Sequence, residues 1–166
     1  LAFRAFSRKV EHRHEYSDVN EATTFADGQS IDLAGLPLDS QIEDALLWLA
    51  VQDQDCKTWN LSSTTVSDTF VKELARRSPG LTGIYLSGTE VTDNGIQELA
   101  QKCPGLKIID FNDTQAGDAA VQELARNCPG LTKVFIADND ITDEPVKELA
   151  RNCPGLTTVD LNAIAI

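Results

Sequence analysis

The chain has 166 residues, 42% of them hydrophobic, which is enough for one folded domain with a continuous core and excludes wholesale disorder. Its 26 acidic side chains against 14 basic ones give a formal net charge of −12. That charge disfavours nucleic acid and anionic membrane surfaces and favours a protein partner with a basic or mixed-charge surface. No apolar run reaches the roughly 18 residues of a membrane-spanning helix.

Residues 1–30 are predicted to form an arm or linker before the folded body. Residues 1–10 mix apolar with basic side chains (LAFRAFSRKV), and the first acid is Glu11. This composition is typical of the remnant of a cleaved organellar presequence or of an arm that docks on a partner, and a frayed, solvated terminus is the third interpretation. The sequence contains no Met, so we expect a processed chain or a fragment.

Residues 31–55 are predicted to be a divergent first unit that caps the repeats described next. Residues 31–33 favour a strand, and residues 40–50 place apolar side chains on one helical face, with Ser40 as the expected N-cap. A second interpretation rests on Leu36-Pro37, the helix, and CKTW at 56–59, which are faintly similar to an F-box and would imply an adaptor.

A 25-residue repeat fills residues 56–166, with four full units and one partial unit. LARRSPGL at 74–81 recurs as LAQKCPGL at 99–106 and as LARNCPGL at 124–131 and 149–156. Two apolar residues, two positions apart, predict the inward face of a short strand in each unit. These pairs are Trp59 and Leu61, Ile84 and Leu86, Ile109 and Phe111, Val134 and Ile136, and Val159 and Leu161.

Each full unit continues with a polar turn position and then an aspartate, which is expected to be the N-cap of a helix. The four aspartates are Asp68, Asp93, Asp118 and Asp143. Apolar residues at helical spacing follow, and Pro-Gly ends each helix. Stacked units therefore give a parallel sheet with helices on its other side, and because helices are wider than the strand spacing, the sheet is expected to line the concave face.

The unit LTGIYLSGTEVTDNGIQELAQKCPG at 81–105 resembles the leucine-rich repeat, and its LAxxCPG ending is similar to the cysteine-containing subtype of F-box proteins. The resemblance implies an α/β fold, namely a right-handed solenoid forming a horseshoe segment, with a parallel β-sheet on the concave face and α-helices on the convex face. The usual Asn or Cys at the turn is Thr in three units, and Thr can also hydrogen-bond the turn backbone.

The outward-facing strand residues and the neighbouring turns are the predicted protein-binding surface. Aromatic residues on a rigid face are typical binding hot spots, and here acidic side chains surround them. Solvated strand residues without a partner are the alternative interpretation. The predicted contacts are Tyr85, Ser87, Ile108, Asp110, Asn112, Asp113, Lys133, Phe135, Asp138 and Asp160.

Cys103, Cys128 and Cys153 lie one unit apart, and we expect a column of buried thiols rather than disulfides. Free thiols favour a reducing, intracellular location, either the cytoplasm or an organelle after presequence removal. Both histidines, His12 and His14, fall in the arm, so no His-based catalytic set is expected in the repeats. The chain is predicted to be no enzyme and to carry neither metal nor cofactor.

Three functions remain open from the sequence. The first is a protein-interaction scaffold that binds its partner on the concave face. The second is a structural or accessory subunit of a larger complex, an organellar one included, held by the arm and by the C-terminal edge. The last unit begins at Leu156 and stops before its helix, so that edge is expected to be uncapped and available for association. The third is an F-box-type adaptor.

Overall fold

The computed structural model describes residues 30–52 and 54–162, so the predicted arm lies outside the described residues except for Ser30. Strands and helices alternate along the described chain. They are β1 (Ser30–Asp32), α1 (Ser40–Gln52), β2 (Thr58–Asn60), α2 (Asp68–Arg77), β3 (Gly83–Tyr85), α3 (Asp93–Lys102), β4 (Ile108–Asp110), α4 (Asp118–Asn127), β5 (Lys133–Phe135), α5 (Asp143–Asn152) and β6 (Thr158–Asp160). None of these helices combines the length and apolar character needed to cross a membrane.

The strands form one parallel sheet in which each strand pairs with the next one in the chain, from β1 to β6. The register matches positions one repeat apart, so Trp59, Ile84, Ile109 and Val134 form a single inward column. All four side chains are fully buried. The inward face predicted from the alternating apolar residues is therefore confirmed.

The core lies between the sheet and the row of helices. Leu74, Leu99, Leu124 and Leu149, one from each repeat helix, are fully buried there. One strand and one helix cannot bury such residues alone, so each unit depends on its neighbours for its core. In the last unit Val159 packs against the core but is only partly buried.

The predicted first unit contains β1 and α1, and β1 begins one residue before the expected strand. Leu46, Leu49 and Ala50 of α1 are buried against the repeat core. The predicted N-cap Ser40 is wrong, because Asp39 occupies that position: its Oδ1 accepts hydrogen bonds from the backbone N–H groups of Gln41 (3.0 Å) and Ile42 (2.9 Å).

The opposite, outer side of α1 exposes a tryptophan. Trp48 is 50% exposed, and Val51, one turn further along the same helix, is 46% exposed. The chain's other tryptophan, Trp59, is fully buried in the sheet, and its indole Nε1 has no hydrogen-bond partner in the described structure.

The sequence analysis predicted that the four repeat aspartates cap their own helices, and this prediction is wrong. Each is the first helical residue, and the N-caps are Ser67, Thr92, Gly117 and Thr142. Side chains on a helix tilt toward its N-terminus, so a carboxylate at this position projects beyond its own helix toward the next unit. We call Asp68, Asp93, Asp118 and Asp143 the carboxylate ladder.

The first three members of the carboxylate ladder bind the N-cap residue of the following helix. Asp68 accepts bonds from Thr92, from the backbone N–H at 2.8 Å and from the hydroxyl at 2.6 Å. Asp118 does the same with Thr142, with both bonds at 2.7 Å. Asp93 accepts a bond from the Gly117 N–H at 2.7 Å. These bonds fix each helix start relative to its neighbour.

The turn after each strand is closed by the polar residue that the repeat pattern singled out. The hydroxyls of Thr64 and Thr89 each donate to the carbonyl three residues earlier, at 2.6 Å. Asn139 donates from Nδ2 to the carbonyl of Ile136, also three residues earlier, at 3.3 Å and to the Phe111 carbonyl of the preceding unit at 2.8 Å. The expectation that Thr can replace the usual turn residue is confirmed.

The three repeat cysteines are buried and free, as predicted. Each thiol points at a carbonyl of the preceding unit: Cys103 Sγ lies 3.4 Å from Ser78 O, and Cys153 Sγ lies 3.4 Å from Cys128 O. Burial raises the pKa of Cys103 and of Cys128 to about 12. These thiols therefore stay protonated at neutral pH, which suits packing rather than nucleophilic chemistry.

Candidate protein-binding surface

The outward-facing residues of β2 to β6 form a continuous surface that we call the sheet face. Its central column runs across the strands in register, with neighbouring strands about 4.8 Å apart. Its members are Asn60, Tyr85, Asp110, Phe135 and Asp160. All five side chains are partly exposed.

Aromatic and acidic residues alternate along the central column. Tyr85 and Phe135 stand on either side of Asp110, two strands or about 9.6 Å apart. Both aromatic side chains belong to the predicted outward-facing positions, and each is half-buried rather than fully exposed. Half-burial holds the rings in place, so a partner can contact them at little further entropic cost.

Asp110 is the electrostatic centre of the sheet face. Burial between its neighbours raises the pKa of its carboxyl above the ordinary value, and the charge of Asp160 raises it further. A hydrogen bond from the Asn112 N–H to Asp110 Oδ1, at 3.0 Å, opposes the shift. The ionised form is thus poorly compensated, and a cation placed beside it would be attracted.

The flanking positions differ in what they can offer a partner. Ile108 is partly exposed and adds apolar area, and Lys133 on the next strand is exposed. Ser87 is partly exposed, whereas Asn112 is already engaged, because its Oδ1 accepts a bond from the Ala137 N–H at 2.6 Å. The structure thus brings the predicted strand residues together on one face.

Asp113 and Asp138 lie beside this face rather than on it. Both are exposed at the turn that follows the strand, with the positive φ angles 49° and 58°. Ser63 and Gly88 hold the same left-handed conformation at the equivalent positions of earlier units. The two aspartates therefore form an acidic rim along one edge of the sheet face.

Two exposed features escaped the sequence analysis. They are Trp48 and Val51, which lie three residues apart on α1 and therefore on one face of the helix. Apolar residues at this spacing usually form the buried face of a helix, so the sequence alone does not indicate that these two are exposed. Within the described ranges, no group of three or more His, Cys, Asp or Glu side chains is arranged to hold a metal ion.

No protein-family model matches the chain, and neither does any curated protein. Among solved structures, the chain is similar to internalin C2 of Listeria monocytogenes, with 29% identity and a TM-score of 0.53 over 74% of this chain and 48% of that one. It is also similar to TLR13 in complex with single-stranded RNA (17% identity, TM-score 0.57, 83% of this chain and 19% of that one). A third is actin-binding site 2 of leiomodin-1 (13% identity, TM-score 0.56, 78% and 80%).

The chain thus spans about half of internalin C2 and about a fifth of TLR13, both of which are leucine-rich-repeat proteins. Together with the parallel sheet and the regular alternation of strands and helices, these similarities identify the fold as a leucine-rich-repeat solenoid. Its sheet lines the concave face and its helices the convex face, as predicted.

Proposed function

We propose that this leucine-rich-repeat solenoid is a protein-interaction scaffold that holds a segment of a partner protein on its sheet face. The observation that carries the proposal is the column in which Tyr85, Asp110, Phe135 and Asp160 stand in register on neighbouring strands. Aromatic anchors on a rigid surface supply much of the energy of protein interfaces. The strands also place them without the need for a folding step on binding.

The chemistry of the column favours a basic side chain as the partner's anchor. An Arg or Lys placed at Asp110 would neutralise a carboxylate that burial disfavours, and its cation would lie between the rings of Tyr85 and Phe135. The exposed Lys133 beside this column offers a site for an acidic group. A segment of mixed charge with a central basic residue therefore fits best.

Charge also favours protein over nucleic acid. Among the similar structures, TLR13 is bound to single-stranded RNA and the leiomodin-1 segment is an actin-binding site. In this chain the net charge is −12, and the sheet face carries Asp110 and Asp160 with Asp113 and Asp138 at its rim. Phosphate groups would be repelled from such a surface, since nucleic-acid binding relies on Lys and Arg contacts.

The test is a peptide-display selection on the intact chain, followed by affinity measurements with synthetic copies of the selected peptides. We expect peptides with a central Arg or Lys. The double variant Tyr85→Ala/Phe135→Ala should bind them more weakly by about 1–3 kcal/mol. Because both rings are half-buried, the variant should also unfold more easily, so its affinity is compared at a temperature at which both chains are folded.

The matched control is Lys102→Ala, an exposed residue at the end of α3 on the helical side, which should leave affinity unchanged. Equal binding by the double variant would place the contacts elsewhere and refute the proposal. A single-stranded RNA oligonucleotide serves as the competing ligand, and its binding in place of the peptides would favour nucleic acid.

A role as a structural or accessory subunit of a larger complex stays a prediction of the sequence analysis. No described contact favours an F-box-type adaptor, because the buried face of α1 is part of the repeat core. The free, buried thiols support a reducing, intracellular location for either function.

A further inference from the structure

The chemistry of the central column of the sheet face repeats every second strand. Tyr85 and Phe135 are both aromatic and lie two strands apart, and Asp110 and Asp160 are both acidic and also lie two strands apart. Neighbouring strands are about 4.8 Å apart, so each kind of side chain returns after about 9.6 Å. A partner segment that follows the column therefore meets the same chemistry at a fixed interval.

Both acidic side chains are held in one orientation and keep one oxygen open. Asp110 Oδ1 accepts the N–H of Asn112 at 3.0 Å, and Asp160 Oδ1 accepts the N–H of Asn162 at 3.1 Å. No Lys or Arg in the described part of the chain forms an ion pair with either carboxylate. The column thus offers two places for basic groups, separated by the ring of Phe135.

The interval of the column selects among the backbone conformations of a partner segment. In a polyproline II helix, residues three positions apart lie on the same side at a distance of about 9.3 Å. Residues on the same side of an extended strand are about 6.6 Å apart. In an α-helix, residues seven positions apart share a side at about 10.5 Å. The polyproline II helix therefore comes closest to the interval of about 9.6 Å between the two carboxylates.

The aromatic rings suit the same conformation. Aromatic-lined grooves dock proline-rich segments, whose polyproline II helix is already formed before binding. Prolines that lie between two basic residues of such a segment would contact Phe135, which stands between the two carboxylates. Arg suits the basic positions better than Lys, because its planar guanidinium is weakly hydrated and stacks on aromatic faces.

We propose that the segment held by the sheet face is a proline-rich stretch in the polyproline II conformation, with two arginines three residues apart. The stretch crosses the strands along the central column. One Arg pairs with Asp110 and the other with Asp160, and the intervening prolines contact Phe135. This inference rests on the proposed function and adds to it the conformation and spacing of the partner segment.

A second copy of this chain does not provide such a segment. Its seven arginines are Arg4, Arg8, Arg13, Arg76, Arg77, Arg126 and Arg151, and no two of them are three residues apart. The net charge of −12 on each copy also opposes self-association on an acidic face. The occupant is therefore expected to be a different protein.

The test compares three peptides of identical composition, each with six Pro and two Arg, in which the arginines are two, three or four residues apart. Their charge and length are equal, so general attraction to an acidic protein affects them alike. We expect the intact chain to bind the peptide with the spacing of three about three- to tenfold more tightly than the others. Either other spacing turns one Arg away from the column.

A pair of variants separates the two carboxylates of the column from the overall charge. Asp160→Asn should abolish the preference for one spacing, because only one of the two ion pairs remains. The matched control is Glu90→Gln, which removes an exposed carboxylate in the turn after β3, outside the column. It should leave the preference for the spacing of three intact.

A third variant tests the interval by adding a carboxylate. Asn60 lies two strands before Asp110, and its Oδ1 accepts the N–H of Ser62 at 3.1 Å, a bond that an Asp can keep. Asn60→Asp should raise the affinity for a peptide with a third Arg at the same interval by about two- to fivefold. A peptide with the third Arg one residue out of step should gain less.

Two results would overturn the inference. They are equal affinity for the three spacings, and tighter binding of a helical peptide with arginines seven residues apart. If Tyr85→Ala/Phe135→Ala still weakens the binding of selected peptides in either case, the proposed function stands and only the conformation of the segment is wrong. If that double variant has no effect on any selected peptide, the proposed function falls as well.

Discussion

The raised pKa of the Asp110 carboxyl determines how the stability of the fold depends on pH. The folded chain holds the proton more tightly than the unfolded chain, so stability increases as the pH falls through the interval between the two pKa values. Above that interval the ionised carboxylate makes the fold less stable than a neutral side chain would. The sheet face thus keeps a charge that folding alone disfavours, which is expected of a binding residue.

Asp110→Asn is therefore expected to raise stability at neutral pH and to flatten the acidic part of the stability profile. Asn can keep the bond to the Asn112 N–H, as Asn60 does with the Ser62 N–H at 3.1 Å. Urea unfolding across the acidic to neutral range checks this. The same variant should bind basic peptides more weakly, and a loss of stability at neutral pH would contradict the electrostatic argument.

The carboxylate ladder offers a comparison of one residue type in two settings. Asp68→Ala removes both part-buried bonds to Thr92 and leaves a backbone N–H without its acceptor, so we expect a loss of about 1–3 kcal/mol in the free energy of unfolding. Asp143→Ala removes only an exposed ion pair and an unpaired oxygen, and should cost less than about 1 kcal/mol. Equal losses in urea unfolding would show that the inter-unit bonds contribute little.

At the scale of single elements, Gly95 of α3 is a position where helix propensity alone would wrongly predict that Ala is more stable than Gly. Ala is ordinarily more favourable than Gly in a helix by about 1 kcal/mol. A Cβ at Gly95, however, would lie 2.6 Å from Asp68 Oδ1 and 2.8 Å from Val91 Cγ1, and Asp68 is already held by its bonds to Thr92. The adjacent unit can approach closely because the side chain is missing.

We expect Gly95→Ala to destabilise the chain by about 1–3 kcal/mol, the usual cost of overpacking. Thermal unfolding of the variant checks the sign. Asn94→Ala, at the exposed preceding residue, is the control for helix propensity alone. A rise in melting temperature for Gly95→Ala would mean that the neighbouring unit shifts without cost.

The elements themselves could be predicted from the sequence, because apolar residues recur at a constant interval and identify the buried columns. The caps were misplaced by one residue at Ser40 and at all four repeat aspartates, since a period shows that a position is equivalent between units but not which group its side chain reaches. The partial burial of Tyr85 and Phe135 also escaped prediction. It depends on contacts with residues about 25 positions away, which alternation along one strand does not reveal.

At the scale of the whole molecule, each unit contacts only the units beside it, so stability is shared along the stack rather than held in one centre. Helix α3 packs between α2 and α4, whereas α5 packs against α4 alone in the described structure. Val146 and Ala150 are consequently less buried than their equivalents. The end of the stack is expected to open before its middle.

Hydrogen–deuterium exchange should show this gradient, with the backbone amides of α5 exchanging faster than those of α3 under native conditions. Uniform protection from α2 to α5 would indicate that the repeats open as one cooperative unit.

The contrast between the two tryptophans gives the unmodified chain an internal optical reporter. Trp59 lies in a dry core with its indole N–H unpaired, and Trp48 is half-exposed on α1. Their emission should differ in colour and in sensitivity to a dissolved quencher, so detachment of the first helix can be followed separately from collapse of the strand stack. Trp48→Phe would leave the emission of Trp59 to be measured alone, without an added dye.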